Sequence, residues 1–263
     1  SILFTFRLPS KKNMNAECME YEISIARNAS LEAGKILVNN KKDLIKATFE
    51  STKDIKLEAD ASAEILIKSI LEEGSAFPIL AEESGKSVED LGSTFWVVDP
   101  LDGTANYSRD IPICCVSIAL IQDLDPVMGV IYDFNNNDLY EGSIYQSALL
   151  NGHTLNVSSI SKPTDGILVT GLPNNTDYSD EAMLKMIKDF QDWKKVRMIG
   201  SAAMASMYVA SGKADLYKEF GTYLWDVAAG AAIVKAAGGR ADIINRRENF
   251  QVDAYFSNSK IVE

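Results

Sequence analysis

Trp96-Val97-Val98-Asp99-Pro100-Leu101-Asp102-Gly103-Thr104-Ala105-Asn106-Tyr107 passes from an apolar run into two closely spaced acids, a glycine and a threonine. Residues 95–98 read as a short buried strand. Proline lacks an N–H and fixes φ, so the strand is expected to stop at Pro100. Gly103 allows the backbone to bend tightly, and Thr104 is expected to cap a following helix. Carboxylates hold hard cations, and free N–H groups at a helix start hold anions. The segment therefore suits a metal-and-phosphate site better than a core.

The 263-residue chain is 46% hydrophobic and 24% charged, which fits one large α/β unit or two closely joined ones. Its net charge is −11 and its basic pairs are scattered, so nucleic acid is not expected as a partner. No apolar run has the length of a membrane span, and no membrane association is expected. Cys18, Cys114 and Cys115 form no disulfide pattern, which suggests a reducing, cytoplasmic setting. The single histidine, His153, leaves any Ser-His-Asp or Cys-His scheme without a base. Residues 1–14 carry an apolar patch followed by basic residues, the wrong order for a secretory signal, and are expected to be a mobile extension.

The periodicity predicts a long amphipathic helix with Cys18, Tyr21, Ile25, Ala29, Ala33 and Ile36 on its inner face. A polar connection follows, then a helix from about Asp60 to Gly74. Strands are expected at 77–80, 95–98, 113–121, 127–132 and 139–141, with Asn151-Gly152 as a hairpin turn. From there strands and helices alternate: strands at 167–170, 196–199, 214–217, 241–244 and 254–257, and helices at 179–190, 202–210 and 227–237. Gly238-Gly239 closes the last helix. The organisation expected is an N-terminal α+β part over 15–160 and a C-terminal α/β part over 161–263. Asp60 alone reads as a helix-start residue, Glu82-Glu83 as a solvated loop, and Asp226 as a cap.

In the order Asp60, Ala81-Glu82-Glu83-Ser84, Asp99-Pro100-Leu101-Asp102-Gly103-Thr104 and Trp225-Asp226-Val227-Ala228-Ala229-Gly230, however, these pieces resemble the inositol monophosphatase family of metal-dependent, lithium-sensitive phosphatases. The likeness runs from about Ala16 to the end of the chain. It implies a layered α-β-α-β-α sandwich, a homodimer, and hydrolysis of a small phosphate monoester with two or three Mg2+ ions, Mn2+ being a possible substitute. Carried over by motif, Glu82, Asp99 and the Leu101 carbonyl would hold one ion, and Asp99, Asp102 and Asp226 a second. Glu82, with Asp60 through water, would border a weaker third. Asp60, Glu82 and Thr104 would be catalytic, with Asp60 and Thr104 orienting the attacking water. Asp102, Gly103, Thr104, Ser201, Ala202, Glu219 and Asp226 would meet the substrate. Lys56-Leu57-Glu58-Ala59, Tyr223 and Thr170-Gly171-Leu172-Pro173 depart from the family's common pattern and bear on substrate choice. Fructose-1,6-bisphosphate is the nearest rival substrate, and Arg197, Lys213 or Lys218 could meet its second phosphate. A metal-dependent regulatory protein without catalysis is the rival from another class.

Convergence of these acids would be costly without cations. Two like charges 4 Å apart repel by about 4 kcal/mol at an effective dielectric of 20. Several such pairs would rival the roughly 5–15 kcal/mol that keeps a domain folded. Oxygen-only ligands favour Mg2+ or Mn2+ over zinc.

Overall fold

Helix α1 (Ala16–Asn39) starts at Asn15, whose side chain accepts the Cys18 N–H at 2.8 Å. The computed structural model describes residues 14–51, 55–174 and 176–261, so the extension expected over residues 1–13 lies outside the described residues. The buried face of α1 is rotated from the one the periodicity predicts. Met19, Ile23, Ala26 and Leu37 lie inside with Ile25, Ala29 and Ala33, while Tyr21 is half exposed. The reason is that α1 packs against two neighbours, a helix and a sheet, and its inner surface is wider than one stripe.

A short helix α2 (Lys41–Leu44) leads to a hairpin of β1 (Ala47–Glu50) and β2 (Ile55–Leu57) where the sequence suggested only a connection. The hairpin belongs to neither large sheet, and Phe49 on it is half exposed, so it carries no buried-face alternation to read. Helix α3 (Glu58–Gly74) follows, then β3 (Ile79–Ala81), β4 (Gly85–Lys86), β5 (Thr94–Asp102), helix α4 (Thr104–Ser108), β6 (Cys115–Gln122), β7 (Asp125–Asp133), β8 (Asp138–Ser143), β9 (Gln146–Leu150) and β10 (His153–Thr154). These strands form an eight-stranded sheet in the order β10-β9-β8-β7-β6-β5-β3-β4, in which only β3 and β5 pair in parallel. The turn between β9 and β10 is the expected Asn151-Gly152, with φ of 49° and 82°.

The second half contributes β11 (Ile167–Thr170), α5 (Asp180–Phe190), β12 (Lys195–Met198), α6 (Ala202–Ala210), β13 (Leu216–Tyr223), α7 (Leu224–Ala236), β14 (Arg240–Ile244) and β15 (Gln251–Ser257). Its five-stranded sheet runs β12-β11-β13-β15-β14, with β11 parallel to both neighbours and the remaining pairs antiparallel.

Three apolar layers hold the sandwich together. Helices α1 and α3 cover one face of the first sheet through Met19, Ile67, Trp96 and Ile118. Helices α6 and α7 fill the space between the sheets, in a core that joins Val97 and Ile131 of the first sheet to Tyr217 and Phe256 of the second. Phe190 of α5 packs on Leu168 and Leu216 on the far side. The order is α-β-α-β-α, as the sequence led us to expect. Small residues make the middle layer thin: a Cβ added to Gly129 of β7 would stand 2.3 Å from the Ala229 carbonyl oxygen of α7.

Candidate metal centre and active site

Strand β5 does not stop at Pro100. Asp99 pairs with Ser117 and Asp102 with Cys115, so three steps along β5 match two along β6. One extra residue makes a bulge, and a bulge tolerates the missing proline N–H. Asp99 and Asp102 are both buried. Asp99 Oδ1 accepts the Leu101 N–H at 3.0 Å, which fixes the bulge from within. Gly103, at φ 89°, then turns the chain into α4. It occupies the cap position expected for Thr104, and Thr104 is instead the first helical residue. A Cβ on Gly103 would meet the Ile113 carbonyl oxygen at 2.8 Å, so the close approach also needs glycine.

Asp60 and Asp226 are delivered by one local device used twice. Each is the third residue of its helix, and each carboxylate reaches back to the N–H that precedes the first turn. Leu57 N–H donates to Asp60 Oδ2 at 2.7 Å, and Tyr223 N–H donates to Asp226 Oδ2 at 2.8 Å. The Thr222 hydroxyl adds a bond to the same Asp226 oxygen at 2.6 Å. Thr104 Oγ1 stands 2.9 Å from Asp60 Oδ1 and 3.0 Å from the Leu101 carbonyl oxygen.

Carboxylate oxygens of Asp99, Asp102 and Asp226 lie within 4.8 Å of one another. They open on a cavity of about 480 Å3 that Glu82, Leu101, Gly103 and Thr104 also line. Burial pushes the Asp99, Asp102 and Glu82 carboxyls up, and their mutual repulsion adds to it. Asp60, fully buried, is pushed up to about 6 by desolvation, against the pull of its Leu57 and Thr104 donors. An oxygen-only set of crowded carboxylates that ionise reluctantly fits a hard divalent cation. Asp99, Asp102, Asp226 and Glu82 are the residues placed to hold one.

Other expected contacts stand behind the cavity wall. Ser201 is buried, and its hydroxyl donates to Asp102 Oδ2 while its oxygen caps α6 through the Met204 N–H. Ala202 is buried beside it, and the Ala203 N–H donates to the same Asp102 oxygen at 2.8 Å. Glu219 is buried against the Gly171 backbone and accepts the Tyr217 hydroxyl at 3.0 Å. Desolvation and then the Asp226 charge push its carboxyl up to about 8. Glu58 is exposed, and Tyr223 stacks on Trp225 with ring centres 4.7 Å apart.

The basic residues singled out from the sequence point elsewhere. Arg197 bonds its neighbour's carbonyl, Lys213 lies over the Tyr208 ring, and Lys218 pairs with Asp189 at 2.6 Å. Among the described residues, Arg109 is the basic side chain that lines the cavity, with Glu50, Ser51 and Ser108 as further wall residues that no motif marked, and Gly200 of the expected Gly200-Ser201-Ala202 loop beside them. Lys56, noted only as a departure, faces Glu82 and Glu83.

Residues 19–255 match the sequence pattern of the Inositol monophosphatase family. The chain belongs to that family. Among relatives of this inositol monophosphatase family member, the Nus factor SuhB of Xylella fastidiosa is 35% identical over 221 residues, covering 82% of this chain and 80% of that protein. The crystal structure of extragenic suppressor protein suhB from Bartonella henselae superposes with a TM-score of 0.82 at 28% identity, covering 90% of this chain and 94% of that one. The inositol monophosphatase from Anabaena superposes at 0.78 with 30% identity and 92% of each chain covered. No helix among the described residues is long and apolar enough to cross a membrane.

Proposed function

We propose that this chain is a Mg2+-dependent phosphomonoesterase acting on inositol-1-phosphate or a related sugar phosphate. The observation that carries the reading is the convergence of Asp99, Asp102 and Asp226 oxygens within 4.8 Å at the floor of an open cavity. Two or three Mg2+ ions, or Mn2+ in their place, are the proposed cofactors. Bound divalent ions supply Lewis acidity, offset the carboxylate charge and make water more acidic.

The chain's own groups do the rest. Asp60 and Thr104 orient the attacking water, and Asp60 takes its proton. Water oxygen bonds to phosphorus, the phosphorus–oxygen ester bond breaks, and the leaving alkoxide takes a proton from solvent to become the alcohol. The N–H groups of Gly103 and Thr104 bind the phosphoryl oxygens. Ser201 and Ala202 act through Asp102, and Glu219, behind the wall, acts through its charge on Asp226. A homodimer in a reducing compartment belongs to the same proposal. Fructose-1,6-bisphosphate is the alternative substrate, and Arg109 is the cavity residue that would meet a second phosphate.

Phosphate release from inositol-1-phosphate with Mg2+, compared with fructose-1,6-bisphosphate, tests both. Release from both substrates at the level of a chelator blank removes the reading. A second reading is favoured by relatives named Nus factor SuhB: the chain acts in a transcription assembly, with or without catalysis. Expectations from net charge alone do not exclude it, because a protein contact could carry it. Pull-down of RNA polymerase and Nus proteins by the purified chain tests that reading.

A further inference from the structure

Lys56 is a cation that stands against the acid cluster within its own chain. It stands on β2, two residues before helix α3 begins and four before Asp60. Its ammonium lies 2.5 Å from Glu83 Oε1 and 3.6 Å from Glu82 Oε1. The side chain is 28% exposed, so much of its stem is covered.

The loop it meets is not free to drift. Glu64 of α3 receives the Glu83 N–H at 2.8 Å and the Ser84 N–H at 3.1 Å, and the Glu82 N–H bonds to the Val98 carbonyl oxygen at 3.1 Å. Lys56 thus closes on a loop already fixed from below and from β5. Glu82 is the link between this end and the rest: its carboxyl faces the ammonium and is hydrogen-bonded to Asp99. Burial works against the Lys56 charge, and the Glu82, Glu83 and Asp60 carboxylates outweigh it.

We propose that Lys56 is a resident cation holding the Glu82–Glu83 end of the cluster, so that the site takes two divalent ions and refuses a third. A divalent ion bordered by Glu82 and Asp60 would have to enter beside a positive charge that already meets the Glu82 carboxylate and feels that of Asp60. Asp99, Asp102 and Asp226 converge at the other end of the cluster, away from the Lys56–Glu83 contact. This inference rests on the reading that the cluster binds divalent metal.

The test is a Mn2+ titration of the chelator-treated full chain, with free Mn2+ read by electron paramagnetic resonance to count ions per protomer. Two ions are expected in the parent protein and in Lys56→Arg, and three in Lys56→Met. Three ions in the parent, or two in a Lys56→Met protein of unchanged circular dichroism, overturns the proposal. If Lys56→Met does not fold, the parent count still decides, since three ions there is fatal to it. No ion bound in the parent removes the metal reading itself, and this proposal with it.

Discussion

The hydroxyl of Ser201 donates to Asp102 Oδ2, joining residues 99 positions apart and seating the start of α6 on a carboxylate of β5. The Ala203 N–H supports the same oxygen. Groups that orient a metal ligand typically change affinity 10–100-fold when removed. Ser201→Ala is therefore expected to weaken Mn2+ binding by about that factor, with little change in circular dichroism. Unchanged affinity would show that Asp102 keeps its orientation without the hydroxyl.

Asp60 and Thr104 make the pair proposed to handle the attacking water. Asp60→Asn keeps the shape and removes the base, so kcat is expected to fall by about 10²–10⁴. Steady-state phosphate release, with Mn2+ affinity measured alongside, separates loss of the base from loss of metal.

Crowded carboxylates make the metal-free protein the weaker form. A ligand present at about 100 times its Kd adds about 2.7 kcal/mol to stability. For a chain of this size that corresponds to a rise in Tm of about 5–10 °C on saturation with Mg2+. Asp99→Asn, which removes one acid from the cluster, is expected to lose most of that rise in a thermal-shift measurement.

Glu22 of α1 is buried, and its Oε2 has no hydrogen-bond partner among the described residues. Desolvation pushes its carboxyl up to about 7, with Ser75 pulling the other way. The unfolded chain gives up this proton near pH 4.5 and the folded chain near pH 7, so stability falls across that window as pH rises. Glu22→Gln is expected to stabilise the protein by about 1–3 kcal/mol at pH 8 and to lose the advantage below pH 4.5. Urea melts at the two pH values provide the check.

Gly129 allows β7 and α7 to touch. Gly129→Ala would set a methyl 2.3 Å from the Ala229 carbonyl oxygen, a backbone atom that cannot swing away. A loss of about 3 kcal/mol or more is expected from overpacking, read as a drop in the midpoint of denaturant unfolding.

The acids were legible because their chemistry is local. Asp60 and Asp226 sit where a helix start needs a carboxylate, whereas the bulge that carries β5 past Pro100 to Asp102 was not expected, because the strand was read as ending at Pro100. The extent of β13 was not legible. Lys218 and Glu219 are buried in the middle of a strand, where the distant Asp189 meets Lys218 and the Tyr217 hydroxyl meets Glu219. The rotated face of α1 was hidden for a similar reason, since its two neighbours lie far along the chain. Lys56 stood out only as a departure from the family pattern because Glu82 and Glu83, which hold it, come 26 and 27 residues later.

Glu82, Asp99 and Asp102 belong to the first sheet and its loops, whereas Asp226 arrives with α7 from the second half. During synthesis, three of these four carboxylates leave the ribosome well before the last one. On the proposed reading, ion capture by the finished cluster would be a late step of maturation, and a product truncated ahead of α7 would lack one of the acids that enclose the ion.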